Sequence, residues 1–283
     1  MFITPMLLEE REEPFDDDRY IFEPKIDGHR MILSLIDGKV QMYTRHHNNC
    51  TRQYPELFNV PVKPDCDVVL DGEVGYMNPE TGRFEFEHLM ERFKQSKEPK
   101  IREGRLRLPV RYFVFDVLFA GGEDVRSWPL VERKALLEEI LTENEFYKKV
   151  MRINRDGSAL FDVIKSLSLE GIVAKRKDSR YVSGPSDGWL KVMNYQYENV
   201  PIIGYRKKHF ALLAQINDGT PGRIELSLPA VLRREFHRAA NEIQTGEDRH
   251  FVYIQPQIQA RLRYRNRNHN GMLRLPEFVD FVV

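Results

Sequence analysis

The stretch Glu23-Pro24-Lys25-Ile26-Asp27-Gly28-His29-Arg30 decides how the rest of the chain reads. Before it, Arg19–Phe22 is aromatic and β-branched. After it, Arg30–Ile36 and Lys39–Thr44 have the same character, and Asp37-Gly38 between them is a hairpin turn signal. Lys25 therefore stands where a strand gives way to a turn. Alone, this K-x-D-G pattern marks a tight turn beside a surface lysine. Its weight comes from the segments that follow, and from their order.

Leu70-Asp71-Gly72-Glu73-Val74 sets a carboxylate just past the end of the apolar run Cys66–Leu70. Phe113-Val114-Phe115-Asp116 lies inside the apolar run Val110–Phe119 and places two aromatic rings on one strand face. Glu170-Gly171-Ile172-Val173-Ala174-Lys175 and then Trp189-Leu190-Lys191-Val192 complete the series. Singly, these segments read as core strands and turns. Together they are what covalent nucleotidyl transfer requires. A lysine amine attacking an α-phosphate must be unprotonated, so cations such as Lys191 or a metal ion have to lower its pKa. Glu73 and Glu170 suit Mg²⁺, which takes carboxylate and phosphate oxygens and keeps several waters. Arg30 and Arg45 can hold phosphates by paired hydrogen bonds, and an aromatic face can stack a purine.

The order Lys25-x-Asp27-Gly28-x-Arg30, Thr44-Arg45, Asp71-Gly72-Glu73, Phe115-Asp116, Glu170-Gly171-Ile172-Val173 and Trp189-Leu190-Lys191 resembles the ATP-dependent DNA ligases. The likeness is greatest to the compact bacterial and phage enzymes and to the ligase module of bacterial end joining. Gly271-Met272-Leu273-Arg274-Leu275-Pro276-Glu277-Phe278 is similar to the end of the oligonucleotide-binding barrel of the end-joining type. The resemblance implies an α+β fold. An adenylation (nucleotidyltransferase) domain over residues 1–197, with antiparallel sheets and flanking helices, would precede an OB-fold β-barrel over 198–283. It implies sealing of nicked double-stranded DNA with ATP and Mg²⁺ (or Mn²⁺ in its place) through a lysine–AMP intermediate on Lys25. Glu23 would help read the adenine, Phe115 would lie against its ring, and Glu73 would meet ribose and metal. Glu170 would hold metal, Lys191 and Lys175 would neutralise phosphate, and Arg30 and Arg45 would contact nucleotide phosphates or the 5′-phosphate of the nick. Three features depart from the family pattern. Met193 stands where a second lysine is usual, Gly184-Pro185-Ser186-Asp187-Gly188 lacks an arginine common before the tryptophan, and with Phe281-Val282-Val283 at the end the usual terminal basic motif is expected to be absent or replaced by the upstream arginines.

The rest of the sequence agrees with a two-domain globular protein. There are 283 residues, 41% hydrophobic and 30% charged, which excludes a disordered chain, a collagen-like fibre or a coiled-coil rod. No apolar run reaches the roughly 18 residues that a membrane helix needs. The start of the chain has no secretory pattern, and two cysteines make no disulfide framework, so a cytoplasmic setting is expected. Helices are expected over Phe84–Lys94, Pro129–Leu141 and Gly157–Leu169, with strands at Ile172–Lys175 and Trp189–Met193. Beyond Asn199, short strands at Pro201–Tyr205, Phe210–Ile216, Phe251–Gln255 and Ile258–Tyr264, with a helix at Pro229–Ile243, suggest a small barrel. The net charge is zero, but from Val200 onward 13 basic residues face 8 acidic ones. Arg261, Arg263, Arg265, Arg267 and Arg274 alternate with other residues, so on a strand they would form one ridge suited to DNA phosphates. With no domain ahead of Lys25, the protein is expected to encircle DNA incompletely, to act as a monomer, and to use an end-binding or replication protein for recruitment. Two rival readings share these features. One is an RNA ligase or another lysine nucleotidyltransferase; the other is a non-catalytic nick- or end-binding protein.

Overall fold

The computed structural model describes residues 1–63, 66–216, 221–225, 228–268 and 270–282. They divide into two compact units, Met1–Asn194 and Tyr195–Val283. The first contains strands β1 (Met6–Glu10), β2 (Asp17–Pro24), β3 (His29–Ile36), β4 (Lys39–Thr44) and β5 (Val68–Gly75). Helices α1 (Phe86–Lys94) and α2 (Glu98–Arg107) follow, then β6 (Arg111–Ala120), β7 (Glu123–Asp124) and α3 (Leu130–Ile140). Strands β8 (Tyr147–Lys149) and β9 (Ile153–Arg155), helix α4 (Gly157–Ser166), and strands β10 (Gly171–Arg176) and β11 (Gly184–Met193) complete it. One sheet has the order β1-β11-β10-β2-β9; the other runs β4-β3-β5-β6-β7, with β8 paired to β6. All ladders are antiparallel except β1 with β11 and β6 with β8.

Strand alternation explains the layers. In β3, Met31 and Leu33 face one way and Ile32 the other, and all three are fully buried. Met31 and Leu33 join Leu70, Tyr112, Leu89, Leu137 and Ile140 in a core between the second sheet and its helices. Ile32, Val69 and Leu118 meet Met6, Ile21 and Trp189 in a core between the two sheets. Helix α4 covers the far side of the first sheet, where Leu160, Phe161 and Ile164 pack on Phe22, Ile172 and Val192. Burial on both faces is why β3, β5 and β6 read as continuous apolar runs. Asp37 and Gly38 both take positive φ, 48° and 69°, as a two-residue hairpin requires.

Several expectations need correction. Strand β5 continues to Gly75, so Glu73 lies within the strand, opposite Arg30 on β3 and Phe113 on β6. The segment Gly184–Gly188 is the start of β11, held by parallel pairing to β1. Helix α2 escapes detection because only Ile101 and Gly104 in it are buried, leaving no apolar stripe.

The second unit contains β12 (Gln196–Arg206), β13 (Ala211–Gln215), β14 (Pro221–Glu225), α5 (Ala230–Glu242), β15 (Gln244–Glu247), β16 (Phe251–Tyr264) and β17 (Glu277–Val282). Its sheet has the order β14-β13-β12-β16-β15, with β17 also on β16. The two strands expected at 251–255 and 258–264 are one. Along one edge β16 pairs with β12, while its other edge pairs first with β15 and then with β17. Pro256, which has no N–H to donate, sits where the register with β12 shifts. The expected small barrel is open among the described residues. Their ladders make an open path, because no ladder joins β14 to β15 or β17.

Candidate active site

The first unit has a cleft between its two sheets, open to solvent and lined by Leu8, Glu23, Pro24, Lys25, Ile26, Arg30, Glu73, Phe115, Val173, Lys175 and Trp189. Its walls follow from pairing. On β2, Phe22 turns to α4, so Ile21 and Glu23 turn inward. Across the ladder Glu23 stands opposite Val173 and Ile21 opposite Lys175. Just past β2, the Lys25 backbone N–H donates to the Gly171 carbonyl at 2.9 Å. Two glycines of the quoted segments are there for space. A Cβ on Gly28 would lie 2.1 Å from the Val74 carbonyl oxygen. On Gly171, whose φ is +153°, it would lie 2.2 Å from that of Val192.

At the cleft, Lys25 Nζ lies 2.9 Å from Glu170 Oε2, and the Glu170 side chain is only 4% exposed. Burial pushes the Glu73 carboxyl up to about 7; Lys25 and Arg30 oppose this shift, while Glu170 and Asp71 add to it. Arg30 is fixed by a two-pronged bond to Asp71, 2.5 Å at each oxygen. Tyr181 donates its hydroxyl to the same carboxylate at 2.6 Å. The Arg30 guanidinium lies 4.5 Å from the Phe115 ring centre. Lys175 Nζ is 2.7 Å from Glu23 Oε2 and about 4 Å above both Phe115 (4.0 Å) and Trp189 (4.1 Å). It makes an ion contact with Glu23 that lacks hydrogen-bond alignment. Burial brings the Lys175 ammonium down to about 8, against the pull of Glu23. The other oxygen of Glu23 is held by Lys134 of α3.

The cleft thus brings together Lys25, Glu23, Arg30, Glu73, Phe115 and Lys175, with Glu170 on Lys25. Two candidates lie outside its lining. Arg45 is exposed and donates to His46 at 2.9 Å. Lys191 is 3.0 Å from Glu10 Oε2, whereas Lys25 is paired with the Glu170 carboxylate. Among the described residues no three His, Cys, Asp or Glu side chains converge on a metal position. Mg²⁺ needs only one or two carboxylates beside phosphate oxygens and water. Glu73 and Glu170, whose charges influence one another, are the two carboxylates available to such an ion.

The five arginines divide. Arg261 and Arg263 lie on the outward face of β16, Arg261 5.1 Å from the Tyr197 ring centre and Arg263 4.5 Å from that of Tyr195. Arg263 also pairs with Glu277 at 2.6 Å. The strand ends at Tyr264, so Arg265, Arg267 and Arg274 fall in a returning loop and do not extend the ridge. There Arg267 pairs with Glu198, and the Arg265 N–H donates to the Arg274 carbonyl at 3.2 Å.

The sequence reading assigned no role to Lys134, Asp71, Asp116 or Tyr181. Its one usable signal was an acid inside an apolar strand. Glu23, Asp71 and Asp116 must each find a cation or a donor once buried, and Asp116 finds Arg133 at 2.8 Å.

Residues 5–192 match the family model of the ATP dependent DNA ligase domain. The SPbeta prophage-derived DNA ligase-like protein LigB of Bacillus subtilis is 37% identical over 284 residues, covering all of both chains. A probable DNA ligase of Dictyoglomus thermophilum is 33% identical over 198 residues, which is 65% of this chain but only 34% of that one. Among solved structures, the mycobacterial DNA ligase D complexed with ATP and MES superposes with a TM-score of 0.60 at 23% identity, over 99% of this chain and 94% of that one. A Lig E DNA ligase superposes with a TM-score of 0.67 at 17% identity over the whole of both chains, so the fold is shared well beyond the sequence. The segments that order the cleft and the full-length match to the Bacillus protein agree: the chain belongs to the ATP-dependent DNA ligase family.

Proposed function

We propose that this chain seals nicks in duplex DNA through a covalent Lys25–AMP intermediate. One observation carries the reading. Lys25 Nζ lines a cleft walled by Phe115, Val173 and Trp189, 2.9 Å from the Glu170 carboxylate, and Glu73 lines the same cleft. In the first step Nζ attacks the α-phosphorus of ATP, an N–P bond forms, and the bond to pyrophosphate breaks. An ammonium cannot attack, so a proton must leave Nζ, and Glu170 Oε2 is placed to take it. Glu23, Phe115 and Val173 flank the base. Arg30, already oriented by Asp71, meets phosphate without reorganising. Lys191 reaches phosphate by leaving Glu10. Mg²⁺ at Glu73 and Glu170 would add positive charge beside the phosphates.

A 5′-phosphate oxygen of the nick then attacks the adenylate phosphorus, releasing Lys25 and forming a DNA-adenylate. The 3′-hydroxyl attacks the 5′-phosphate, and AMP departs with the bonding pair. The second unit grips the backbone through Arg261 and Arg263 on the outward face of β16, a charge contact indifferent to base sequence.

The test is incubation with α-labelled ATP and Mg²⁺, followed by addition of nicked duplex. The wild-type chain becomes labelled and passes the label to DNA, whereas Lys25→Ala takes up none. Label on the alanine variant overturns the assignment. A labelled wild-type protein that prefers nicked RNA over nicked DNA makes it an RNA ligase instead.

A further inference from the structure

Helix α3 lies outside every segment that the family resemblance assigns, yet it reaches the cleft. Leu130, at its start, packs in the core between the sheets. Lys134 is one turn later and shares that face. Its side chain, 3% exposed, ends on Glu23 Oε1, while Lys175 ends on Oε2. A carboxylate lining a ligand cleft is therefore gripped at both oxygens, from a helix on one side and a strand on the other. Burying three ionisable groups is a poor way to gain stability, because desolvation offsets their attraction. The arrangement makes sense if the state and orientation of Glu23 matter.

We propose that Lys134 is a positioning residue for purine selectivity: by holding Glu23 as a fixed, ionised acceptor, it makes the cleft take adenine and refuse guanine. This rests on the reading of the cleft as an ATP site. An ionised carboxylate only accepts hydrogen bonds. Adenine offers a donor, its N6 amino group, where guanine offers the acceptor O6. Two changes would let guanine in. A protonated Glu23 could donate to O6. A carboxylate freed at Oε1 could turn and take the N1–H and N2–H₂ edge of guanine with both oxygens. Lys134 opposes both, since its charge favours ionisation and its bond occupies one of those oxygens. Burial alone would raise the Glu23 carboxyl, yet the two ammonium groups hold it below the usual carboxylate range.

The experiment compares labelling by α-labelled ATP and α-labelled GTP in wild type, Lys134→Met, Lys134→Arg and Glu23→Gln. In Lys134→Met the ATP-to-GTP ratio falls by about tenfold or more, because a site built around a polar group loses its discrimination when that group is freed. Lys134→Arg restores it, which a merely space-filling role would not predict. If Lys134→Met does not fold, Glu23→Gln decides: its amide both donates and accepts, so its ratio falls too, and a wild-type ratio there overturns the proposal. A folded Lys134→Met with the wild-type ratio also overturns it. Nucleotide binding is read in parallel as a thermal shift on Lys25→Ala and on Lys25→Ala/Lys134→Met. Selectivity is thereby measured even if no label is transferred, and failure of the covalent reading is distinguished from failure of the Lys134 assignment.

Discussion

The two units handle charge in different ways. The first has exposed ion pairs but also buries several. Arg133 and Asp116, and Arg92 and Glu56, are ion pairs with no exposed side chain at either end, and Asp71 is buried under Arg30. In the second, charges lie on the outside of β16, where Arg263 and Glu277 are 35% and 47% exposed. A buried pair has one geometry and leaves a heavy penalty if one member is lost, whereas an exposed pair trades almost evenly with water. The first pattern suits chemistry in which phosphates must meet donors already in place. The second suits a grip on a polymer whose register slides.

The largest test of this contrast concerns stability. Asp116→Ala leaves the Arg133 guanidinium buried with only the carbonyls of Trp128 and Ser179. Unfolding by denaturant should show a loss of about 3–5 kcal/mol. Glu277→Ala, which strips the exposed Arg263, should cost less than about 1 kcal/mol. Similar losses from the two would break the comparison.

A smaller effect comes from pH. His29 faces Tyr54, whose hydroxyl lies 2.6 Å from Nε2, and burial brings the imidazole down to about 4. The unfolded chain takes up this proton near the ordinary histidine value, about 6.5. Between those values the unfolded state binds more protons than the folded one, so stability is full above pH 6.5 and drops as pH falls toward 4. The loss assigned to this group is on the order of 3 kcal/mol. His29→Gln, which keeps an acceptor for Tyr54 but does not titrate in this range, should flatten that part of the stability profile. An unchanged slope assigns the proton elsewhere.

How much of this was legible depended on the range of the interaction. Strand alternation alone turns Phe115 and Glu23 to one side of their strands, and the hairpin at Asp37-Gly38 needs only two residues to declare itself. The motif order placed Lys25, Glu73 and Glu170 in one neighbourhood. What could not be read was which cation each buried acid would find. Lys134 meets Glu23 across 111 positions and Tyr181 meets Asp71 across 110, and no local pattern selects those partners. Lys191 shows the converse. Its motif suggests a place among the phosphates, but pairing of β1 with β11 sets Glu10 opposite it. The five-arginine ridge failed for a local reason: alternation holds only while a strand lasts, and β16 stops at Tyr264.

The finest prediction concerns that ridge. Arg261 stacks over Tyr197 while Arg263, two residues on, is bound to Glu277. Both project from one strand face, so DNA on that face would meet both guanidinium groups. Their charges are not equivalent, because a phosphate approaching Arg263 must compete with a carboxylate already in place. Each phosphate contact that is lost should reduce the slope of log affinity against log salt by about 1. Arg261→Gln should show that change on nicked duplex, and Arg263→Gln less than about half of it, since the uncovered Glu277 then adds its own repulsion to a contact that was weak. Equal slope changes would mean that Glu277 releases Arg263 to the DNA at no cost, and the exposed pair would then be a latent phosphate site and not a neutral surface contact.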